Sequence, residues 1–94
     1  MDPVEIRHLP HHLQFEAVVE GRACRLDYML EDGRMVIVHT EVPAAVAGRG
    51  IAGQLVRAAA LWAREQGLRV VPRCSYAEAY FGRHREFGDI LDPH

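Results

Sequence analysis

Residues 47–53 read A-G-R-G-I-A-G, and the spacing of the apolar residues changes across this stretch. Before it, apolar residues recur at every second position, which is typical of strands with one buried face. After it, apolar residues recur on one face of a helix that we expect over residues 50–66: Ile51, Ala52, Leu55, Val56, Ala59, Trp62 and Ala63. The glycine turn therefore separates a strand-rich first half from a helical segment.

Three strand-like runs precede the turn, over residues 13–19, 22–30 and 34–42. They are separated by Glu20-Gly21 and Asp32-Gly33, and an Asp-Gly pair favours a two-residue hairpin turn. These runs predict an antiparallel meander. Residues 35–38 are apolar in succession, as in a strand that is covered on both faces. In the second run, Cys24, Leu26, Tyr28 and Leu30 should share one face.

The second half predicts a β-α-β unit. Residues 68–72 form a short apolar run, which a right-handed crossover would place parallel to the third strand. Residues 75–84 predict a short C-terminal helix. The predicted fold class is therefore α+β, with one main helix packed across a mixed sheet. We expect the first dozen residues to be loosely ordered and the chain to end in a short polar tail.

Composition restricts the class of protein. With 94 residues, 49% hydrophobic and 26% charged, the chain predicts one globular domain over residues 1–94. A net charge of −2 and scattered arginines argue against a nucleic-acid partner. No apolar run approaches the roughly 18 residues of a membrane span, and the first residues do not resemble a signal peptide. We expect a cytoplasmic location, with Cys24 and Cys74 as free thiols.

The glycines at positions 48, 50 and 53 have two interpretations. The backbone N–H groups at the start of a helix, approached closely past glycines, form a cradle for a pyrophosphate. Alternatively, the glycines only shape a tight loop. The pattern G-x-G-x-x-G also occurs in dinucleotide-binding folds, but those need the motif in their first strand–helix unit and further parallel units. Three antiparallel strands precede the motif here, so we reject that interpretation.

Four segments in order carry a resemblance to a known family. They are H-T-E-V-P at residues 39–43, G-R-G-I-A at 48–52, V-V-P-R-C at 70–74 and Y-F-G-R-H at 80–84. Together they resemble the short single-domain GNAT-like N-acetyltransferases, which lack the two early helices of full-length GNAT enzymes. The resemblance covers residues 15–87. It implies a minimal GNAT-like fold and acetyl-CoA or coenzyme A as the cofactor.

The GNAT signature [QR]-x-x-G-x-[GA] implies the cofactor-binding residues. Gly50 and Ala52 match its fourth and sixth places, whereas Ala47 stands where Gln or Arg is usual. The departure at Ala47 removes a phosphate-binding side chain, so we expect weaker binding through backbone groups. The complete predicted set is Thr40, Val42, Gly48, Arg49, Gly50, Ile51, Ala52, Gly53 and Tyr80. Tyr76, Phe81 and His84, on or next to the last helix, could also contact the ligand.

Three residues are candidates for catalysis: His39, Glu41 and Cys74. The third and fourth strands should end at one edge of the sheet, near the start of the main helix, so these elements should converge on one cleft. His39 or Glu41 could act as the general base that deprotonates an amine acceptor. Cys74 could instead accept the acetyl group as a thiolate. The plain alternatives are a histidine and a cysteine that serve only packing.

Three functions remain open from the sequence. The first is an enzyme that transfers an acetyl group to an amine or thiol, with an acceptor that the sequence does not identify. The second is a non-catalytic module that binds coenzyme A, and the third is a small interaction protein with purely structural glycines. No Cys/His spacing predicts a metal site, and the cluster His8, His11 and His12 is more simply incidental. We expect a monomer or a homodimer.

Overall fold

A computed structural model describes residues 3–93 of the chain. It contains five strands and two α-helices: β1 (Arg7–Leu9), β2 (Gln14–Val19), β3 (Arg22–Glu31), β4 (Arg34–Glu41), α1 (Ile51–Glu65), β5 (Arg69–Pro72) and α2 (Ser75–Arg83). Short 3-10 turns lie at Pro10–His12, Ala44–Val46 and Arg85–Phe87. Every predicted strand and helix is present, with bounds that differ by at most one residue.

The five strands form one sheet in the order β1-β2-β3-β4-β5. Strands β1 to β4 pair with one another in antiparallel fashion, and β5 is parallel to β4. Both hairpin turns have two successive residues with positive φ, at Glu20-Gly21 and at Asp32-Gly33. This is the geometry that matches the right-handed twist of the flanking strands. The α+β fold predicted from the sequence, a meander followed by a β-α-β unit, is therefore confirmed.

Both helices pack on one face of the sheet. The apolar stripe of α1 is buried as predicted, with Leu55, Val56 and Ala59 fully inaccessible to solvent. Residues of α2 and of the segment after it complete the same core, among them Ala77, Tyr80, Phe81, Phe87 and Ile90.

The opposite face of the sheet is more open than the sequence suggested. Val36 is buried, but Val38 is 39% exposed, so β4 is not covered on both faces along its whole length. The prediction of a strand covered on both faces was therefore wrong at Val38, because the helices cover only one face of the sheet. Leu30 shares the helix side of β3 with Cys24, Leu26 and Tyr28, as predicted, and pairs with the buried Met35, but it is 48% exposed at the end of the strand.

Residues 7–12 form β1 and a 3-10 turn, contrary to the expectation of a loose first dozen residues, of which residues 1 and 2 lie outside the described part of the chain. β1 pairs with β2, placing His8 opposite Phe15. The imidazole of His8 stacks on the ring of Phe15 with centroids 4.1 Å apart, contacts Trp62 edge-on, and lies 2.6 Å from the hydroxyl of Tyr28. His8 therefore holds β1 to the sheet and is not part of an incidental histidine cluster.

The C-terminal segment is also not a free polar tail. Ile90 is only 7% exposed, and Leu91 forms a parallel bridge with Val70 of β5. The N–H of Val70 donates to the carbonyl of Ile90 at 2.8 Å, and the N–H of Asp92 donates to the carbonyl of Val70 at 2.9 Å. Residues 90–92 thus run along the outer edge of β5.

Candidate functional site

The strands β4 and β5 stay paired only as far as Ile37 and Pro72. Beyond this point the backbone N–H groups of Arg73 and Cys74 both donate to the carbonyl of Ile37, at 2.9 and 3.1 Å. The chain then enters α2, while β4 continues to Glu41 without β5 beside it. The last residues of β4 therefore have one strand neighbour, β3, and their other edge is open.

A β-bulge lies in β4 just where this opening begins. Asp27 of β3 pairs with His39, whereas the next residue, Tyr28, pairs with Ile37, so Val38 has no direct partner on β3. An extra residue on one strand reverses the alternation of its side chains. Thr40 therefore lies on the helix-covered side together with Ile37, and His39 lies on the open side.

The start of α1 depends on glycine. Gly50 is the N-cap residue with φ 75° and ψ 15°, and Gly48 has φ 80°. Side chains are strained in this left-handed region, whereas glycine adopts it freely. No side chain caps the helix, so the N–H groups of its first turn have no acceptor supplied by an N-cap side chain. The helix dipole favours an anion at this point.

A first cavity of about 290 Å³ opens beside this helix start. Its lining contains five of the predicted cofactor-binding residues: Val42, Gly48, Gly50, Ile51 and Ala52. The remaining lining residues are Ala47 and Tyr76, so the walls are largely apolar. Because Val42 follows directly after β4, the cavity joins the open edge of that strand to the glycine turn.

A second cavity of about 390 Å³ lies on the other side of the same helix start, between α1 and α2. It is lined by Gly50, Gly53, Gln54, Arg57, Tyr76, Tyr80, Arg83 and His84. Gly50 and Tyr76 line both cavities. The predicted residues Gly53 and Tyr80 belong to this second cavity, and Tyr76 and His84 also contribute, whereas Phe81 is a core residue only.

Close packing shapes the second cavity. A Cβ atom at Gly53 would lie 3.2 Å from the hydroxyl oxygen of Tyr76 and 3.6 Å from Cε2 of Tyr80. The ring of Tyr80 stacks on that of His84 with centroids 4.0 Å apart. Burial raises the pKa of the Tyr80 phenol, and the nearby Arg57 guanidinium opposes that rise. Tyr80 thus presents a neutral hydroxyl next to a cation.

The predicted residue Arg49 has its side chain directed elsewhere. Its Nη1 lies 2.6 Å from Oε2 of Glu20 in the β2–β3 turn. The hydrogen bond and the charge of Arg49 lower the pKa of the Glu20 carboxyl. A ligand at the helix start would therefore meet the backbone of Arg49 more readily than its guanidinium.

The candidate bases His39 and Glu41 lie together on the open face of the sheet. Nε2 of His39 is 3.3 Å from Oε1 of Glu41, and Arg25 Nη1 is 3.2 Å from the same carboxylate oxygen. Both side chains are about half exposed. Neither residue lines either of the two cavities described above. The structure therefore brings the two candidate bases to each other, on the opposite side of β4 from Thr40.

Cys74 caps the second helix. Its Sγ accepts a hydrogen bond from the backbone N–H of Ala77 at 3.3 Å, and its side chain packs partly against the core. The thiol is free, like that of the buried Cys24. Cys74 is absent from the lining of both cavities. Its proposed role as an acyl acceptor stays a prediction, as do the roles of His39 and Glu41.

Sequence reasoning missed Arg57, Arg83 and Gln54 as lining residues. One signal for Arg57 was present: it lies four residues after Gly53, on the same face of α1. Arg83 and Gln54 could not be placed, because the sequence does not show which side of α2 packs next to α1. Within residues 3–93 no group of three or more His, Cys, Asp or Glu side chains has the arrangement of a metal site.

The site thus combines a parallel strand pair that separates after Ile37 and Pro72 with a helix that begins at a glycine. The sequence profile of the GCN5-related N-acetyl-transferase family matches residues 14–90, and the chain belongs to this family. The solution NMR structure of a Staphylococcus aureus protein, provisionally assigned as a GCN5-like N-acetyltransferase, is similar to it. That structure superimposes with a TM-score of 0.75 at 25% identity, over 100% of this chain and 96% of the other. A search of the curated proteins found no match. In residues 3–93 no helix has both the length and the apolar character needed to span a bilayer.

Proposed function

We propose that the chain binds acetyl-CoA, with the pyrophosphate at the start of α1, and transfers the acetyl group to an amine or thiol acceptor. The observation that carries this proposal is the meeting of two cavities at Gly50, directly at a helix start that has no side-chain cap. The first-turn N–H groups donate to the pyrophosphate oxygens, and the helix dipole stabilises their charge. Family membership supports the same ligand.

The apolar first cavity suits the pantetheine arm. Its walls lead from Gly50 to Val42, at the end of β4 that has lost its β5 neighbour. The exposed edge of residues 38–41 offers backbone N–H and C=O groups to the amide groups of an extended arm, as an added strand would. The thioester would then lie near the end of β4. An amine acceptor attacks its carbonyl carbon while a base removes the proton of the amine; the C–S bond then breaks, and coenzyme A leaves as a thiolate that takes up a proton.

A second candidate function is a module that binds coenzyme A without turnover. One observation favours it: His39, Glu41 and Cys74 do not line the two cavities, and Cys74 already accepts a hydrogen bond from Ala77. In this function the ligand would act as a signal, and the chain would report its presence to a partner. The two functions share the binding site and differ only in turnover.

Binding is tested by thermal denaturation in the presence of acetyl-CoA. A ligand at 100 times its Kd stabilises the native state by about 2.7 kcal/mol, which raises the Tm of a domain of this size by roughly 10 °C or more. Ala52→Asp places a carboxylate at the helix start, where it suits the dipole but repels phosphate. This variant should stay folded and lose the shift. The control Ala79→Asp, at an exposed position of α2, should keep it. No stabilisation of the wild type at millimolar ligand refutes the proposal.

Turnover is tested separately, by release of free coenzyme A with a panel of amines. The enzyme proposal expects release above the rate of spontaneous hydrolysis, lowered in His39→Ala if that imidazole is the base. Intact mass after incubation with acetyl-CoA tests the thiol route, because a covalent acetyl group on the wild type should be absent from Cys74→Ala. Binding without release or acetylation would select the non-catalytic module.

A further inference from the structure

The two cavities at the helix start differ in charge. The first is lined by apolar side chains, glycine backbone and the ring of Tyr76, whereas the second contains the guanidinium groups of Arg57 and Arg83. Coenzyme A has a matching asymmetry about its pyrophosphate: a thin, neutral pantetheine arm on one side and an adenosine with a 3′-phosphate on the other. A pyrophosphate held at Gly50 sends one part into each cavity, so charge decides the direction.

The two arginines of the second cavity have no carboxylate partner in the part of the chain that the structure describes. Within residues 3–93 neither Arg57 nor Arg83 forms an ion pair, whereas Arg49 and Arg64 are paired with acidic side chains elsewhere. Burial raises the pKa of the Tyr80 phenol, and Arg57 lies close enough for its charge to oppose that rise. Glu86 contacts the remaining basic residue of the cavity, with its Oε2 3.7 Å from Nδ1 of His84. Two guanidinium groups thus stay available to an anion.

The two arginines come from different helices and meet across one cavity. Arg57 follows Gly53 by about one turn of α1, and Arg83 is the last residue of α2. The rings of Tyr76 and Tyr80 lie between the helices and give the cavity an aromatic wall. A guanidinium presents two parallel N–H donors that suit a phosphate better than a lysine ammonium does.

We propose that Arg57 and Arg83 bind the 3′-phosphate of coenzyme A, so that the chain discriminates coenzyme A from 3′-dephospho-coenzyme A. This inference rests on the proposed binding of coenzyme A at α1 and adds the feature of the ligand that gives specificity. It also fixes the direction of the ligand: the 3′-phosphoadenosine lies between α1 and α2, and the thiol points toward Val42.

The test compares the affinities of coenzyme A and 3′-dephospho-coenzyme A by isothermal titration calorimetry. The wild type should bind coenzyme A at least about tenfold more tightly than 3′-dephospho-coenzyme A. A tenfold difference corresponds to roughly 1.4 kcal/mol, which a charge-assisted hydrogen bond can supply. Arg83→Gln and Arg57→Gln should each weaken coenzyme A binding several-fold and leave the dephospho ligand nearly unchanged. The control Arg85→Gln removes the same charge two residues from Arg83, at an exposed position outside the cavity lining, and should keep the wild-type ratio.

The outcomes separate the two proposals. Equal affinity of the wild type for both ligands overturns the 3′-phosphate site and leaves coenzyme A binding intact. An unchanged ratio in both arginine variants also overturns it, as does an equal loss in Arg85→Gln, which would indicate a diffuse charge effect. If neither ligand binds, the proposed function fails and this inference fails with it. Denaturation of each variant without ligand shows whether Arg57→Gln alters stability, and Arg83, at an exposed helix end, provides the second, independent variant.

Discussion

Replacing Gly53 by alanine tests the packing between the two helices. Both Gly53 in α1 and Gly82 in α2 have ordinary helical φ, but a Cβ at Gly53 would lie 3.2 Å from the Tyr76 hydroxyl, whereas one at Gly82 meets nothing within 4 Å. Alanine in a helix is about 0.5 to 1 kcal/mol more favourable than glycine. Gly82→Ala should therefore raise the free energy of unfolding by about that amount. Gly82→Ala is the matched control for Gly53→Ala.

In Gly53→Ala the same gain is opposed by a contact that forces Tyr76 to move by a few tenths of an ångström. Overpacking costs typically 1–3 kcal/mol, and we expect roughly 1 because the atom that moves is the end of a partly exposed side chain. The net change should be zero or slightly destabilising, about 1 kcal/mol below that of Gly82→Ala. Urea denaturation of the three proteins, with equal m-values, measures the difference. Equal stabilisation by both substitutions would refute the reasoning, since the helices would then not be in tight contact at Gly53.

Three further predictions concern parts of the fold outside the cavities. Burial lowers the pKa of His8, so the folded chain binds a proton there less readily than the unfolded chain; the free energy of unfolding should fall as the pH drops below about 6.5, toward the lowered pKa of the folded state. Urea denaturation at pH 7.5, 6.5 and 5.5 checks this, and a His8→Phe variant with the same pH slope would exclude this residue as the cause. Cys74→Ala removes the acceptor of the Ala77 N–H and should cost about 0.5 to 1 kcal/mol, measured by the same method, with Cys74→Ser restoring most of it. Ile90→Ala should cost about 2 to 4 kcal/mol, and a loss below about 1 kcal/mol would show that this residue is not part of the core.

The meander and the main helix could be predicted because their signals are local. Alternation over residues 13–30, the two turn pairs and the helical stripe that begins at Ile51 each follow from the residues themselves. The presence of strand β1 could not be predicted, because its three residues show no alternation. It depends on His8 contacting Phe15 and Trp62, which only tertiary folding brings together. Ile90 was missed for the same reason, because it and Leu91 are only two apolar residues in an otherwise polar segment.

The candidate site was predictable to the extent that it consists of backbone. The glycines of the turn identify the helix start, and the left-handed φ of Gly48 and Gly50 is what such a turn requires. The side of the strand on which His39 lies was not predictable, since one bulged residue, Val38, reverses the alternation after it. The facing arginines of the second cavity depend on how α2 packs next to α1, which no local pattern specifies.

The segment that runs along β5 also bears on how copies of the chain could assemble. Val70 already exchanges hydrogen bonds with Ile90 and Asp92, so a strand from a second molecule would have to displace these two bonds to extend the sheet there. At the opposite edge, β1 offers only the three residues Arg7–Leu9 as a template. Short or covered edges oppose uncontrolled strand addition. A homodimer of this chain would therefore be expected to use helix surfaces or the open face of the sheet, and not a continuous sheet through β5.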